Sequence, residues 1–132
     1  MKPLDMILLL SLGLAIWIAG TIYYGYRGAG VLETTALRYW IAFTISPIVS
    51  AALCIVILKI RGIPPQQWAS AMLLLAIPGM VGEALVLSNF AWFMPRVHEV
   101  SAGRYGAFLF ATYAVVLAIA EAVTLRAAPH LQ

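Results

Sequence analysis

WASAMLLLAIPGMVGEALVLSNFAWF, residues 68–93, carries a single charged side chain, Glu83, in an otherwise apolar run. A helix that crosses a bilayer needs about 20 apolar residues, so this run reads as a membrane span. Three further segments read the same way, at residues 4–26, 37–58 and 104–125. The expected fold is therefore an all-α integral membrane protein, a single four-transmembrane-helix bundle over residues 1–132.

Composition points to the same solvent. The chain is 64% hydrophobic and 10% charged, with a mean hydropathy of +0.97. Soluble domains carry about 25% charged residues. A soluble fold of this size has too much surface to hide so much apolar area. The first run is too long for the apolar region of a signal peptide and ends in Tyr23, Tyr24, Tyr26 and Arg27. It reads as a retained helix.

The net charge of +3 comes from eight basic residues set singly at segment ends. Without a basic run or stripe they do not read as a nucleic-acid surface, and they suit interfacial anchoring near anionic lipid. Membrane lipids are thus expected partners. Cys54 is the only cysteine and sits inside an apolar run, so no disulfide forms within the chain. It reads as a small buried hydrophobe.

The gap KIRGIPPQQ, residues 59–67, has a glycine to stop one helix and a proline pair to open the next. Four spans place both termini on one side. Lys2, Lys59, Arg61 and Arg126 fall on that side, and Arg27, Arg38, Arg96 and Arg104 on the other. The positive-inside count ties. The free amino group and both lysines tip the reading toward a cytoplasmic N-terminus, and the tie leaves insertion in both orientations open.

The two remaining gaps resemble each other. ETTALRY (33–39) and EVSAGRY (99–105) share Glu, Ala, Arg and Tyr at matching positions, and an offset of 66 residues also lays Gly13 on Gly79. Thr35 and Ser101 then stand where an N-cap hydroxyl belongs. The pattern suggests two pseudo-symmetric helical hairpins of the parallel kind. Coincidence between two interfacial caps of similar composition is the competing reading.

Glu83 is the leading candidate for function. It lies about 22 Å along its helix from Trp68 at 1.5 Å per residue, well inside the hydrocarbon. An acid there usually faces the bundle interior or a cavity. Pro78 frees a carbonyl and can kink the helix. Gly79 and Gly82 let another helix approach closely. Three readings are open: a protonated, hydrogen-bonded carboxyl; a structural tie to Arg38 or Arg104; or a proton or cation site. Ser88 and Asn89 are candidates to line the same cavity. Pro47, with Ser46 and Ser50, is a second candidate kink.

Arg38 and Arg104 each fall in a first helical turn, where a cation opposes the helix dipole, and each has a tyrosine neighbour, Tyr39 or Tyr105. They read either as snorkelling anchors or as anion sites that take a lipid headgroup phosphate. Glu121 reads as an interfacial partner of Arg126, His98 as a surface residue, and Asp5 as a complement to the first helix dipole. Most aromatic residues, among them Tyr23, Trp40, Phe93 and Trp92, lie toward the arginine end, and Trp68 marks the other. They form an interfacial belt or a docking surface. The sequence has no catalytic triad pattern, phosphate loop, metal-ligand cluster or haem motif. No enzyme activity, metal or cofactor is expected.

In LAIPGMVGEALVLSNFAWFMPRV, residues 75–97, Pro78, Gly79 and Met80 precede an acid, Glu83, and then Phe90, Phe93 and Pro95. This arrangement resembles a family of small bacterial four-helix inner-membrane proteins of unknown function. That family more often has Asp at the acid and Asn after the last proline, where this chain has Glu83 and Arg96. The resemblance implies a bacterial inner-membrane location and supplies no activity. Small multidrug exporters carry a first-helix glutamate, and fluoride channels a polar Phe-Ser-Thr stretch in the third helix. Neither is present here.

Two functions are expected. One is a small-solute or ion transporter working as a homo-oligomer through Glu83. The other is an accessory subunit that docks a partner membrane protein through the aromatic and arginine end.

Overall fold

The computed structural model describes residues 1–27, 35–95 and 101–127. Glu33, Arg96, His98 and Glu99 lie outside the described residues. Regular structure within the described residues is wholly helical. α1 spans Pro3–Arg27, α2 Ala36–Ile60, α3 Trp68–Ser88, the single turn α4 Phe90–Phe93, and α5 Ala102–Ala127, with a 3-10 turn at Pro65–Gln67 leading into α3. Four of these segments are long and apolar enough to cross a membrane: α1, α2, Pro65–Ser88 and α5.

Local chemistry explains the boundaries. Thr35 is extended (φ −61°, ψ 153°), and its hydroxyl accepts from the Arg38 N–H at 3.4 Å, capping α2 as the sequence suggests. At the other end Gly62 takes φ +67°. Its N–H bonds to the Lys59 carbonyl and the Ile63 N–H to the Leu58 carbonyl, both at 3.0 Å. This is the paired closure that a left-handed residue after a helix allows. Leu58 and Ile63 then pack in one cluster. Pro47 and Pro78 both sit inside continuous helices.

The third span differs from expectation. α3 ends at Ser88 rather than running to residue 93. Asn89 leaves the helical region (φ −133°, ψ 49°), and its side-chain amide donates back to the Leu85 carbonyl at 3.4 Å. Asparagine competes with the backbone in this way and favours helix ends.

α3 is the centre of the bundle. α1 packs along α3, α3 along α5, and α5 along α2, while α2 touches α3 more lightly. Strict two-hairpin symmetry would also pack α1 on α2 as α3 packs on α5. Among the described residues α1 and α2 do not pair in that way. The cause is visible in the glycines that the offset superposes. A side chain at Gly13 would strike the Leu75 backbone of α3, whereas one at Gly79 would strike the Tyr113 hydroxyl of α5. The same residue type serves two different seams.

Two apolar layers fill the interior. One contains Leu9, Leu58, Trp68, Met72, Leu75 and Ala120. The other contains Tyr39, Val86, Phe90, Met94 and Tyr105. Outward-facing residues are apolar as well: Ile60 is 77% exposed, Phe110 73% and Ile7 61%. A surface of that kind suits hydrocarbon rather than water. At the end holding Lys2 and Lys59, Arg61 pairs with Asp5 at 2.6 Å. The Trp68 indole donates to the Ile63 carbonyl at 2.9 Å. Thr124 of α5 accepts from the Ala69 N–H at 2.9 Å and donates to the Pro65 carbonyl at 3.1 Å. These contacts join α1, the α2–α3 connection and α5 at one end, as an antiparallel bundle requires. Asp5 therefore does more than complement a dipole. Glu121 is exposed and makes no ion pair with Arg126 among the described residues.

Candidate functional site

Each long helix contributes one stripe to a shared cavity of about 150 Å³. α1 supplies Gly13, Trp17, Gly20 and Tyr24; α3 supplies Met72, Ala76, Gly79 and Glu83. α5 supplies Tyr105, Phe108, Thr112 and Tyr113, and α2 supplies Ser50 and Cys54. The spacing within α1, α2 and α3 is three or four residues, so each of those sets lies on one helical face, and α5 adds the adjacent Tyr113 to the stripe of Tyr105, Phe108 and Thr112.

Glu83 sits on the wall of this cavity and is 9% exposed. Its Oε2 accepts a hydrogen bond from the Tyr105 hydroxyl at 2.8 Å. Tyr105 is 1% exposed and is held on two sides by rings. Tyr24 meets it edge-on at 5.7 Å between centroids, and Phe90 lies at 5.8 Å. Tyr24 also meets Phe108 edge-on at 5.7 Å. Gly82, one residue before the acid, has no Cβ because the Trp17 ring occupies that space. Gly79, one turn earlier, leaves room for Tyr113. Both glycines are thus sites of close approach between helices. The 66-residue offset of the sequence comparison would put Trp17 at the position of Glu83, an aromatic ring in place of the acid.

Two polar atoms next to the site are buried without a hydrogen-bond partner among the described residues, the Trp17 Nε1–H and the Thr21 hydroxyl. They lie one turn apart on α1. Buried donors of this kind are uncommon and hold hydrogen-bonding capacity in reserve.

Several expected neighbours of Glu83 are elsewhere. Ser88 and Asn89 are exposed and bond back to Ala84 and Leu85 of their own helix at 2.7 and 3.4 Å. They do not line the cavity, because the helix end turns both away from it. Neither arginine reaches the acid. Arg38 is exposed. Arg104 lies over the Tyr39 ring, 4.7 Å from its centroid, where a guanidinium meets the negative face of an aromatic. The Tyr39 hydroxyl donates to the Arg104 carbonyl at 3.1 Å. Tyr39 thus fastens α2 to the first turn of α5. Tyr105, expected at a lipid headgroup beside Arg104, points into the bundle instead, because the helical turn between neighbours separates their faces by about 100°.

The sequence reading took Tyr24 for an interfacial tyrosine and gave Trp17 and Tyr113 no place beside Glu83. Their signal was present in the helical spacing of Gly13, Trp17, Gly20 and Tyr24, and of Tyr105, Thr112 and Tyr113. In an all-apolar helix such a stripe does not stand out against its background.

A family of unknown function, DUF5367, matches residues 31–126. The chain belongs to this family. The match takes in α2, α3 and α5, and with them Glu83, Tyr105 and Tyr113, while Gly13, Trp17 and Tyr24 precede it. The stretch at 75–97 that resembles an unknown-function family falls inside the match. No curated protein and no solved structure matches the chain.

Proposed function

We propose that this protein moves a small solute or ion across the membrane as a homo-oligomer, with Glu83 as its proton or cation site. One observation carries the reading: the Glu83 carboxyl lines a cavity between four helices and is bonded to a tyrosine hydroxyl, with no cation paired to it among the described residues. A structural tie would spend the acid on an arginine. A carboxyl whose partner is a neutral hydroxyl keeps its capacity to exchange a proton or hold a cation. A cavity of about 150 Å³ is too small to be a path through the bundle, and a second copy would supply the rest of a route. In this reading the chain sits in a bacterial inner membrane with both termini on the cytoplasmic side.

The test is proton flux in liposomes under an imposed pH gradient. Glu83→Gln is expected to fold and to lose pH-driven flux. Tyr105→Phe is expected to retain flux with a shifted pH profile, because the hydroxyl tunes the carboxyl and does not replace it. A folded Glu83→Gln variant with wild-type flux would overturn the proposal.

A second reading, an accessory subunit, is favoured by a separate observation. Trp92 is 78% exposed and Trp40 57% exposed, both toward the arginine end. Exposed tryptophan beside Arg38 is typical of contact surfaces. Native mass spectrometry after gentle purification separates the two readings: a stoichiometric foreign chain supports docking, and a homo-oligomer supports transport.

A further inference from the structure

We propose that the Glu83 cavity takes a small organic cation, an alkylammonium that is as a whole about the size of a benzene ring. This rests on the reading of Glu83 as a cation site and names the class of cation.

Charge sets the sign of the ligand. Among the described residues that line the cavity there is one ionisable acid and no Lys, Arg or His. Five of its lining residues are aromatic: Trp17, Tyr24, Tyr105, Phe108 and Tyr113. Ring faces attract cations, most strongly where water is excluded. An anion would meet the carboxyl and the ring faces with only neutral indole and hydroxyl donors, and no cation, to offset them.

Wall chemistry selects among cations. A hard metal ion needs about six oxygen ligands. Here the side-chain oxygens come from Glu83, three tyrosines, Ser50 and Thr112, spread over four helices, and the rest of the wall is carbon with the Cys54 and Met72 sulfurs and the Trp17 indole N–H. Among the described residues no cluster of three His, Cys, Asp or Glu stands ready for a metal. An organic ammonium makes the opposite demand. It needs one counter-charge, ring faces for its onium group, and carbon around the remainder.

Volume sets the size. A cavity of about 150 Å³ is the size that admits benzene, so a small alkylammonium fits whole and a ring bearing a separate ammonium, or a multi-ring dye, does not. Access comes from the packing. The pairs α1–α3, α3–α5 and α5–α2 close three sides. The fourth side lies between α1 and α2, whose described backbones are not packed along their length and which meet through side chains such as Tyr24 and Ser46, so entry there needs only side chains to move.

The experiment uses tetramethylammonium, which is charged at every pH and close to benzene in size, and its neutral isostere neopentane. Both are titrated into the purified full chain in the same micelles. Trp17 lines the cavity, so quenching of tryptophan fluorescence reads occupancy, with Trp17→Phe showing which part of the signal comes from that ring. The expected result is saturable binding of the cation, no saturable binding of the isostere, and at least about a tenfold loss of cation affinity in Glu83→Gln. Equal binding of both probes, no saturation by the cation, or unchanged affinity in a folded Glu83→Gln would overturn the inference. Should Glu83→Gln fail to fold, Tyr113→Leu, which removes a ring and keeps the acid, is expected to weaken the cation several-fold. Unchanged affinity in that variant overturns the inference as well. Liposome flux keeps the two proposals apart. Proton flux without cation binding removes this inference and leaves transport standing. Cation binding without flux does the reverse.

Discussion

Replacing Gly13 by alanine tests the α1–α3 seam, and Gly20 on the same helix provides the control. A Cβ on Gly13 would meet the backbone carbonyl of Leu75, which no side-chain rotation can move aside. A Cβ on Gly20 would meet nothing within 4 Å. Both substitutions gain the same intrinsic helix preference, up to about 1 kcal/mol for alanine over glycine. Overpacking a tight contact costs about 1–3 kcal/mol. The two variants should therefore differ by roughly 1–3 kcal/mol, Gly13→Ala being the less stable. Gly20→Ala should be neutral or slightly stabilised. The assay is denaturation in mixed micelles, with tryptophan fluorescence and helicity followed together. Equal stability of the two variants would refute the close approach of α1 to α3.

Two further substitutions probe the end where the chain starts. Thr124→Val removes the hydroxyl that joins Ala69 and Pro65 across α5 and α3. By analogy with a lost cap it should cost about 1–2 kcal/mol in the same denaturation assay, whereas Thr112→Val should cost less, since that hydroxyl bonds only its own helix at Phe108. Asp5→Asn breaks the pair with Arg61, whose side chain is 37% exposed against 14% for the acid. The expected loss is at most about 1 kcal/mol and should fade with added salt; a larger, salt-independent loss would mean the pair is shielded from water.

How much of this was legible in the sequence depends on the kind of signal. Hydropathy is summed over a whole segment, so the four spans were readable from composition alone. The Thr35 cap and the Gly62 stop were readable because one residue type satisfies one local geometry. The end of α3 was not. Asn89 sits in an apolar, phenylalanine-rich stretch, and hydropathy runs through it without a break while the backbone does not. Glu83 was conspicuous because a charge in hydrocarbon is rare. Its partner was not, because Tyr105 neighbours Arg104 and both were read as interfacial. Which side of a helix faces inward is a matter of rotation, and an apolar helix in an apolar solvent has little amphipathic pattern to reveal it. That same lack of contrast hid the aromatic stripe of α1 and the asymmetry between the two hairpins.

The α1 seam also bears on the order of assembly. Among the described residues α1 has no strong neighbour in the bundle except α3, and its contacts there include a glycine against a backbone carbonyl and an indole ring laid on Gly82. Both contacts join residues far apart in the chain. During synthesis α1 is made before α3, and it has no surface to rest against until α3 exists. Its docking brings one wall of the cavity, with Trp17 and Tyr24. The Glu83 chamber is therefore incomplete until α5, made after α3, adds Tyr105, Phe108 and Tyr113.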